Sequence, residues 1–490
     1  MSDRLLLQAL LLHDLGAFTE KVFRALEPGQ PYLHNWHLDH IAEALARVER
    51  GELKRLIINV PPRSLKSILV SVAFSAWVLG RDPRKRIMCI SYAEDLARKH
   101  ALDTRKIVDE AWYREIFRDF EIPRGRARDL DFGTTLNGYR FAAGMGGAIT
   151  GRGADIILID DPIKPADALS KAMRRRAIEY YDGTLQSRLN NKREGAIVIV
   201  MQRLHEDDLV AHVTQNEDWE VISLPAIATE PTVHRLSDDP SDIYHRAAGE
   251  VLHAEREPRE ILEALRRSMG SLIFSAQYQQ APVPPEGNIV KRDWLRRYET
   301  RPETFDLVVA SWDTASTIGE TSDYSVGTVW GAKGLDYYLL DLVRGRFEVP
   351  DLRRRLVALS TQWSANATLV EETDIGRAIV QELRITDQLR CILRPPRFDK
   401  EARILAQSAR FESGQVHVPS EATWLAEWLS ELLAFPNGRH DDQVDSTSQA
   451  LHYLTVQTAH LKRAEIAQTR PARERPARMA RPKGYRRNVE

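Results

Sequence analysis

The sequence predicts an α/β protein with two sheets: a parallel sheet covered by helices in the first half, and a mixed sheet in the second. Two observations support this fold class. Between residues 55 and 223, short apolar runs alternate with helical stretches, as they do in parallel sheets with helices on both faces. Between residues 305 and 457, three strand-like runs follow one another closely before strands and helices alternate again.

The bulk composition is that of an ordinary globular protein. The 490 residues suggest two to four domains, and 43% of them are hydrophobic and 28% charged. The net charge of −1 excludes no class of partner, because a neutral protein can still carry local basic stripes. Cys89 and Cys391 are far apart, which excludes a disulfide scaffold and a zinc site. No apolar run has the length of a membrane span, so we expect no membrane contact.

The elements of the first half follow from apolar patterning. The Gly-rich stretch 131–153 predicts a hairpin, and repeated prolines after Pro225 predict a linker with one helix near 257–269. The predicted strands are 55–60, 86–92, 155–160, 195–202 and 219–223, and the predicted helices are 1–50, 67–79, 93–110 and 166–190.

The second half has the pattern of antiparallel strands followed by α/β units, an arrangement that resembles a ribonuclease H-like sheet. The predicted strands are 306–312, 324–331, 336–343, 367–372 and 390–394, and the predicted helices are 350–363, 375–388, 399–411, 421–434 and 440–457. The last residues are rich in arginine and proline, which predicts a basic disordered tail. The predicted domains are therefore 1–225, a linker subdomain 226–300, 301–457 and a tail 458–490.

The segment LIINVPPRSLKS has the features of a phosphate-binding loop. Lys66 and Ser67 lie between a predicted strand and a predicted helix, where a lysine can bind phosphate and a hydroxyl can bind magnesium. The full G-x-x-x-x-G-K-[ST] pattern is not met, because Val60 and Leu65 occupy the two glycine positions. The alternative interpretation is an ordinary strand-to-helix turn with a solvated lysine.

The segment ILIDD strengthens the interpretation as a P-loop ATPase of the ASCE type. Asp160 ends a predicted buried strand, where a magnesium-associated acid lies in such ATPases. Asp161, the next acid, is our candidate to orient the attacking water, although glutamate is the usual residue there. The alternative is that Asp161-Pro162 merely ends the strand.

Three more polar residues are candidates for the nucleotide site. Arg63, inside the loop, and Arg152, in TGRGAD, are placed to stabilise charge on the transferring phosphoryl group, and Arg152 can do so on a neighbouring subunit as an arginine finger. Gln202 ends the fourth strand and is a candidate sensor of the γ-phosphate. For either arginine, a plain surface position is the alternative.

Acidic residues in the last third predict a two-metal site for phosphodiester cleavage, in which carboxylates from different elements hold the metals. Asp313 and Glu371 end two predicted strands, and Asp441, Asp442 and Asp445 open a predicted helix. Among the helix acids, Asp442 is the preferred ligand and Asp441 the next, since adjacent residues point in different directions. Taken singly, each acid is more often a helix cap or a surface charge.

Several segments, in this order, resemble the large terminase subunit of tailed phages and prophages. They are PPRSLKS, ITGRGADIILIDDP, IVIVMQRLHEDDL, SWDTAS, LVEETDIG and HDDQVDSTSQAL, and the resemblance covers about residues 30–457. It implies an N-terminal ATPase motor that drives double-stranded DNA through a portal into an empty procapsid, and a C-terminal ribonuclease H-like nuclease that cuts concatemeric DNA.

The resemblance also implies ligands, partners and residue roles. It implies ATP and Mg²⁺ or Mn²⁺, a portal protein, a small terminase subunit, a homo-oligomeric ring usually of five subunits, and the cytoplasm of an infected or lysogenic bacterial host. The roles that it implies are phosphate and magnesium binding by Lys66 and Ser67, hydrolysis through Asp160 and Asp161, nuclease metal binding by Asp313, Glu371 and Asp442, and adenine contact near Tyr32 and WHLDH (36–40).

Two other functions compete with the packaging motor. One is a ribonuclease H-like DNA nuclease with a degenerate, inactive ATPase half, which Leu65 favours. The other is a non-enzymatic prophage remnant that only binds portal or DNA, which the intact set of nuclease acids disfavours. The presence of Lys66, Ser67, Asp160 and Asp161 favours the motor.

Overall fold

The computed structural model describes residues 3–123, 125, 128–282, 289–314, 324–385, 389–396, 398–438 and 441–469, with side chains to residue 462. The chain divides into two compact units. The first unit comprises Met1–Arg296, Pro395–Val416 and Thr423–Asp445, and the second comprises Arg297–Arg394, His417–Ala422 and Ser446–Glu490.

The first unit is built on a seven-stranded sheet. Its strands are β1 Arg55–Asn59, β2 Arg86–Ser91, β3 Asp131–Gly133, β4 Tyr139–Gly144, β5 Ile156–Asp160, β6 Ala196–Met201 and β7 Glu220–Ser223. They lie in the order β3-β4-β2-β5-β6-β1-β7, and only β3 is antiparallel to its neighbour. The parallel sheet predicted from the sequence is confirmed.

Helices cover both faces of this sheet. The helices of this part of the chain are α1 Asp3–His13, α2 Leu15–Leu26, α3 Trp36–Glu49, α4 Ser75–Arg81, α5 Glu94–Asp109, α6 Ala111–Ile116, α7 Lys171–Tyr180, α8 Leu209–Asn216, α9 Arg259–Met269 and α10 Ser271–Gln277, of which α9 and α10 pack in a separate small core. Strands β5 and β6 are buried along their whole length, and their alternate residues enter two separate hydrophobic cores. Their nearly uninterrupted apolar runs are typical of parallel strands that are buried on both faces.

Two regions of the first unit are more ordered than the sequence indicated. The Gly-rich stretch forms the predicted β3–β4 hairpin, and β4 also extends the main sheet by pairing with β2. After Pro225 the chain forms a second hairpin, β8 Thr232–Arg235 and β9 Ile243–Arg246, before helices α9 and α10. A small core of Ala226, Leu262, Phe274 and Tyr278 stabilises this region.

Trp36, at the start of α3, holds the second hairpin in place. Its ring stacks on His234 and on Tyr244, with ring centroids 4.6 Å apart in each case, and the residue is only 8% exposed. The adenine contact that the resemblance implied for this segment therefore does not extend to Trp36, because the stacking surface of its ring is already occupied by protein.

Buried histidines around this hairpin predict loss of stability in acid. Burial, aided by His253, lowers the pKa of His37 to about 3, so the folded chain keeps this ring neutral where an unfolded chain protonates it. Because the unfolded state then binds more protons, the free energy of unfolding should fall by up to about 2 kcal/mol from His37 alone between pH 7 and pH 5. Urea unfolding of a His37→Leu variant should show a correspondingly weaker pH dependence. A variant of the exposed His245, His245→Leu, is the matched control, and equal slopes for both variants would contradict the prediction.

The second unit contains the mixed sheet. Its strands are β10 Arg296–Tyr298, β11 Leu307–Asp313, β12 Ser325–Lys333, β13 Asp336–Gly345, β14 Ala367–Glu371, β15 Cys391–Arg394 and β16 Val416–Pro419, in the order β10-β16-β13-β12-β11-β14-β15. Strands β11, β12 and β13 are antiparallel, whereas β14 and β15 continue from β11 in parallel. The predicted mixed sheet is confirmed.

The remaining helices follow the predicted order. They are α11 Val349–Gln362, α12 Asp374–Ile385, α13 Lys400–Leu405, α14 Ser408–Glu412, α15 Leu425–Ala434 and α16 Asp442–Thr469. Helix α16 continues past residue 457, where the sequence predicted its end, because residues 458–469 are mostly good helix formers. The rest of the predicted basic tail lies outside the described residues. Among the helices that are described, none has the length and apolar character needed to cross a bilayer.

Candidate functional site

The predicted phosphate loop joins β1 to a π-helical segment, Ile68–Phe74. Lys66 Nζ lies 2.5 Å from Asp161 Oδ1, and Ser67 Oγ donates a 3.1 Å hydrogen bond to Asp160 Oδ1. The loop and the two acids meet because β1, β6 and β5 are parallel neighbours whose carboxyl ends share one edge of the sheet. Four residues singled out from the sequence are thus brought together.

The loop has an unusual backbone conformation. Arg63 and Leu65 have φ values of 62° and 59°, and Asp161 has a φ of 47°. This left-handed region costs an L-residue roughly 1–2 kcal/mol and favours glycine. Leu65 therefore adopts a backbone conformation that favours glycine, the residue that the phosphate-loop pattern has at this position.

Substitutions at Leu65 should show this strain directly. We expect Leu65→Gly to be more stable than Leu65→Ala by about 1 kcal/mol, because only glycine adopts a left-handed φ without a steric penalty. Urea unfolding of the two variants measures the difference. Leu12, which is half-buried in helix α1, provides the control. In a helix, Leu12→Gly should be less stable than Leu12→Ala by about 1 kcal/mol. The same order at both positions would contradict the assignment of strain to Leu65.

Asp160 is the centre of a buried polar network. It is 1% exposed and accepts hydrogen bonds from Ser67 and, at 2.6 Å, from Ser71. Burial raises the pKa of Asp160, and the charge of Lys66 and the two hydroxyl groups oppose this rise. His100 Nδ1 lies 3.5 Å from its carboxylate, and burial lowers the pKa of His100 to about 4. The network therefore holds the acid beside the loop with a neutral imidazole next to it.

Sequence reasoning missed part of this network. Ser71 follows Ser67 by four residues on the helical segment after the loop, so their shared helix face was a usable signal. His100 on α5 and the fully buried Arg140 on β4, which donates a 3.1 Å hydrogen bond to the Ser71 carbonyl, had no such signal.

A cavity of about 660 Å³ opens over the loop. Its volume is in the range of small-molecule sites. Arg63, Gln202 and Asp161 line it together with the loop residues, and Arg256, which the sequence did not single out, also lines it. The wall contributed by α2 and the segment before α3 consists of Phe23, Glu27, Gln30, Pro31 and Leu33.

Arg152 lies apart from this cluster within the first unit. Its guanidinium donates a 2.7 Å hydrogen bond to Asp131 on β3 and lies 4.3 Å from the ring centroid of Phe141 on β4. Strand β2 separates β4 from β5, which carries Asp160. Arg152 is therefore not brought to the phosphate loop of its own chain.

In the second unit, Asp313 and Glu371 end adjacent parallel strands. Trp312 pairs with Val370, so the two acids that follow these residues lie side by side at one edge of the sheet. Just beyond them, the hydroxyl groups of Thr314 and Thr373 lie 2.7 Å apart and join the two strand ends. Carboxylate oxygens are the ligands that hard divalent cations prefer, so these two strand ends supply the right chemistry for such an ion.

Helix α16 packs on the face of the sheet that carries these acids. Ser311 Oγ donates to the Ser446 carbonyl and Ser446 Oγ donates to the Ser311 carbonyl, both at 2.8 Å. Gln449 Nε2 also donates to Ser311 Oγ at 3.0 Å. Because alternate residues of a strand share a face, Asp313 points to the same side as Ser311.

The three acids at the start of α16 have different surroundings. Asp441 lies 2.5 Å and Asp445 2.8 Å from Lys400 Nζ, and Asp445 also lies 2.9 Å from Arg403. Burial acts to lower the pKa of Lys400, but the carboxylates of Asp445 and Asp441 outweigh it and raise this pKa. Asp442, the first residue of the helix, is 8% exposed. All three acids belong to the part of the chain that clusters with the first unit, whereas Asp313 and Glu371 belong to the second.

Comparisons with known proteins agree with this architecture. A solved large terminase from a thermophilic bacteriophage has a TM-score of 0.51 and 12% sequence identity, and the match covers 84% of this chain and 98% of that one. A second crystal form of the same terminase gives a TM-score of 0.51 and 11% identity over the same shares of the two chains. At these identities the similarity shows the fold alone.

Sequence comparisons extend this result. The large terminase subunit of Enterobacteria phage T3 is 25% identical over 174 residues, which are 35% of this chain and only 28% of that protein. A family model described as the T4likevirus-type N-terminal part of the terminase large subunit matches residues 57–297. A second model, described as the terminase RNaseH-like domain, matches residues 310–454. The chain therefore belongs to the family of large terminase subunits.

Proposed function

We propose that this chain uses ATP to move double-stranded DNA into a procapsid and cuts concatemeric DNA with the help of divalent metal ions. The observation that carries the proposal is the convergence of Lys66, Ser67, Asp160 and Asp161 beside a cavity of ligand size. The side-by-side carboxylates Glu371 and Asp313 support the second activity.

In the proposed ATPase site, Lys66 binds the phosphates. In this structure the ammonium group of Lys66 pairs with Asp161. A bound triphosphate would draw Lys66 away from this pair, and Asp161 would then orient the attacking water. The hydroxyl of Ser67 and the carboxylate of Asp160 form an oxygen donor set of the kind that magnesium prefers. Bound magnesium would shield the phosphate charge there.

The other candidate residues have supporting roles in this proposal. Arg63 lines the cavity and would stabilise charge on the phosphoryl group, and Arg256 joins it there. Gln202, at the end of β6, would sense the γ-phosphate. Arg152, which lies away from its own chain's loop, would act as an arginine finger on a neighbouring subunit.

For the nuclease, we propose that Asp313, Glu371 and Asp442 hold Mg²⁺ or Mn²⁺, since these hard cations prefer carboxylate oxygens. The bound ions would activate water and stabilise the leaving oxygen. We favour Asp442, and Asp441, whose carboxylate pairs with the cation of Lys400, is the next candidate.

Membership of the family supports the proposed partners. They are a portal protein, a small terminase subunit and further copies of this chain in a ring of five on the procapsid, within the cytoplasm of an infected or lysogenic bacterium. The second candidate function, a DNA nuclease with an inactive ATPase half, is favoured by Leu65 alone, because a leucine replaces the expected glycine.

Two activities measured on the same preparation of the protein distinguish these functions. ATP hydrolysis and plasmid nicking are measured with magnesium and with manganese, with and without DNA. Both activities together are expected for a packaging enzyme. Metal-dependent nicking without ATP turnover would overturn the motor and establish the second candidate, whereas the absence of both would leave the non-enzymatic remnant.

A further inference from the structure

In the second unit, a row of residues on five neighbouring strands includes the two acids Glu371 and Asp313. Arg394 on β15 pairs with Glu371 on β14, and Asp313 on β11 pairs with Val326 on β12. Val326 pairs in turn with Arg344 on β13. The row therefore places two neighbouring carboxylates between two arginines, one next to Glu371 and one beyond Asp313.

The arginines lie on the same face of the sheet as the carboxylates. The Arg394 guanidinium is 5.9 Å from the ring of Tyr453 on α16, the helix that covers this face. On β12, the hydroxyl of Thr328 meets Ser446 of α16 at 2.7 Å, and Thr328 pairs with Leu342, two residues before Arg344. Because residues two apart on a strand share a face, Arg344 also points to this side.

The end of the row at Arg344 carries further positive charge. The guanidinium groups of Arg344 and Arg346 lie 3.9 Å and 4.8 Å from the ring centroid of Tyr324. Two guanidinium groups over one aromatic ring concentrate positive charge at this end of the row, and guanidinium groups are planar, fork-shaped donors. Such donors suit phosphate oxygens better than the point charge of lysine does.

The length of the row matches a stretch of nucleic-acid backbone. Four interstrand steps of about 4.8 Å give a span of about 19 Å. One strand of B-DNA advances about 3.4 Å along the helix axis per phosphate, so a row of this length is long enough to reach phosphates on both sides of one bond. We infer that Arg344 and Arg394 bind DNA phosphates on either side of the bond that the carboxylate site cuts, and so position the strand for cleavage.

This inference rests on the proposed nuclease function and predicts a salt-dependent contact. We expect Arg344→Gln and Arg394→Gln each to make the slope of log affinity against log salt shallower by about 0.9, between about 50 and 200 mM salt. The measurement is fluorescence anisotropy of a labelled DNA duplex with the full chain in magnesium, in an Asp313→Asn background that prevents cutting. In the cutting-competent chain, both variants should raise the DNA concentration for half-maximal nicking and lower the maximal nicking rate, each several-fold, with ATP turnover nearly unchanged.

Arg354 provides the matched control. It lies on α11, which packs through Leu352, Leu356 and Leu359 against the opposite face of the sheet, so Arg354→Gln removes the same charge without touching the row. Arg344→Lys is the second variant, because a lysine keeps a phosphate contact but not the stack on Tyr324. Recovery of the salt slope in Arg344→Lys supports the phosphate contact.

Two outcomes would overturn the inferred arginine contacts, and a third would overturn the nuclease function on which they rest. If Arg344→Gln and Arg394→Gln change the slope no more than Arg354→Gln, the arginines do not contact DNA. If they lower thermal stability but leave the slope unchanged, they only balance the charge of the acids, and the inference is again overturned. If the unmodified chain shows no metal-dependent nicking, the nuclease function itself fails, whatever the slopes.

Discussion

ATP turnover by a Lys66→Ala variant is expected to fall by at least about 10²–10³-fold, the loss typical of removing one charge-stabilising group from a transition state. Lys66 is 6% exposed and its Nζ lies 2.5 Å from Asp161 Oδ1, so its loss removes the cation that would face the phosphates. Metal-dependent DNA cutting, for which we propose the separate carboxylates Asp313, Glu371 and Asp442, should remain. Steady-state phosphate release and plasmid nicking in the same preparation measure both effects.

Two further variants make this test sharper. Removing Lys66 leaves the buried Asp160 and the half-buried Asp161 without this cation, and breaking a pair costs up to roughly 3–5 kcal/mol when it is fully buried. Lys66→Arg, which keeps the charge, shows whether lost turnover reflects chemistry or unfolding, and circular dichroism checks the fold. Lys54→Ala, which breaks an exposed pair with Glu194, should change nothing. Turnover that survives Lys66→Ala would remove the loop from the proposed site.

Asp313→Ala should eliminate DNA cutting while leaving ATP turnover intact. Asp313 provides one of two neighbouring carboxylates, and losing a metal ligand forfeits several kcal/mol of transition-state stabilisation, or about 10³-fold in rate. Asp442→Ala should have an effect of similar size. Nicking of supercoiled plasmid over a range of magnesium and manganese concentrations is the measurement.

The control for this prediction lies on the same sheet. Asp336 begins β13 at the end of the sheet away from Asp313, so Asp336→Ala removes a half-buried carboxylate without reaching the row of acids. It should cut DNA at the normal rate. Cutting at the normal rate by Asp313→Ala would exclude that residue from the site, and the same result for Asp442→Ala would move the third ligand to Asp441.

Most of the fold could be predicted because its strands are short apolar runs between clear breaks. Strands β5 and β6 consist almost entirely of apolar residues, and the structure buries both fully. The strands β8, β9, β10 and β16 were missed because each has only three or four residues and lies among prolines and charged residues, which indicate loops. Their pairing is determined by tertiary contacts, such as the stacking of Trp36 on the β8–β9 hairpin.

The candidate nucleotide site was predictable where its residues are consecutive in sequence. Lys66 and Ser67 follow one strand and Asp160 and Asp161 end another, and parallel neighbours bring such residues together. Arg256 and His100 come from distant elements, so only the folded chain shows their proximity. The pairing of Lys66 with Asp161 was also not foreseen, because the sequence assigned each to a different part of the reaction.

The left-handed backbone at Arg63 and Leu65 has a consequence for the timing of nucleotide capture. Segments that must order around a ligand lose conformational entropy at every encounter, which weakens affinity and slows association. Here the unfavourable dihedral angles are imposed when the polypeptide folds, by the packing of Leu65 against the large core of the first unit. In an enzyme that exchanges nucleotide at each step along DNA, the loop would then lose this entropy once, during folding, and not again each time that nucleotide binds.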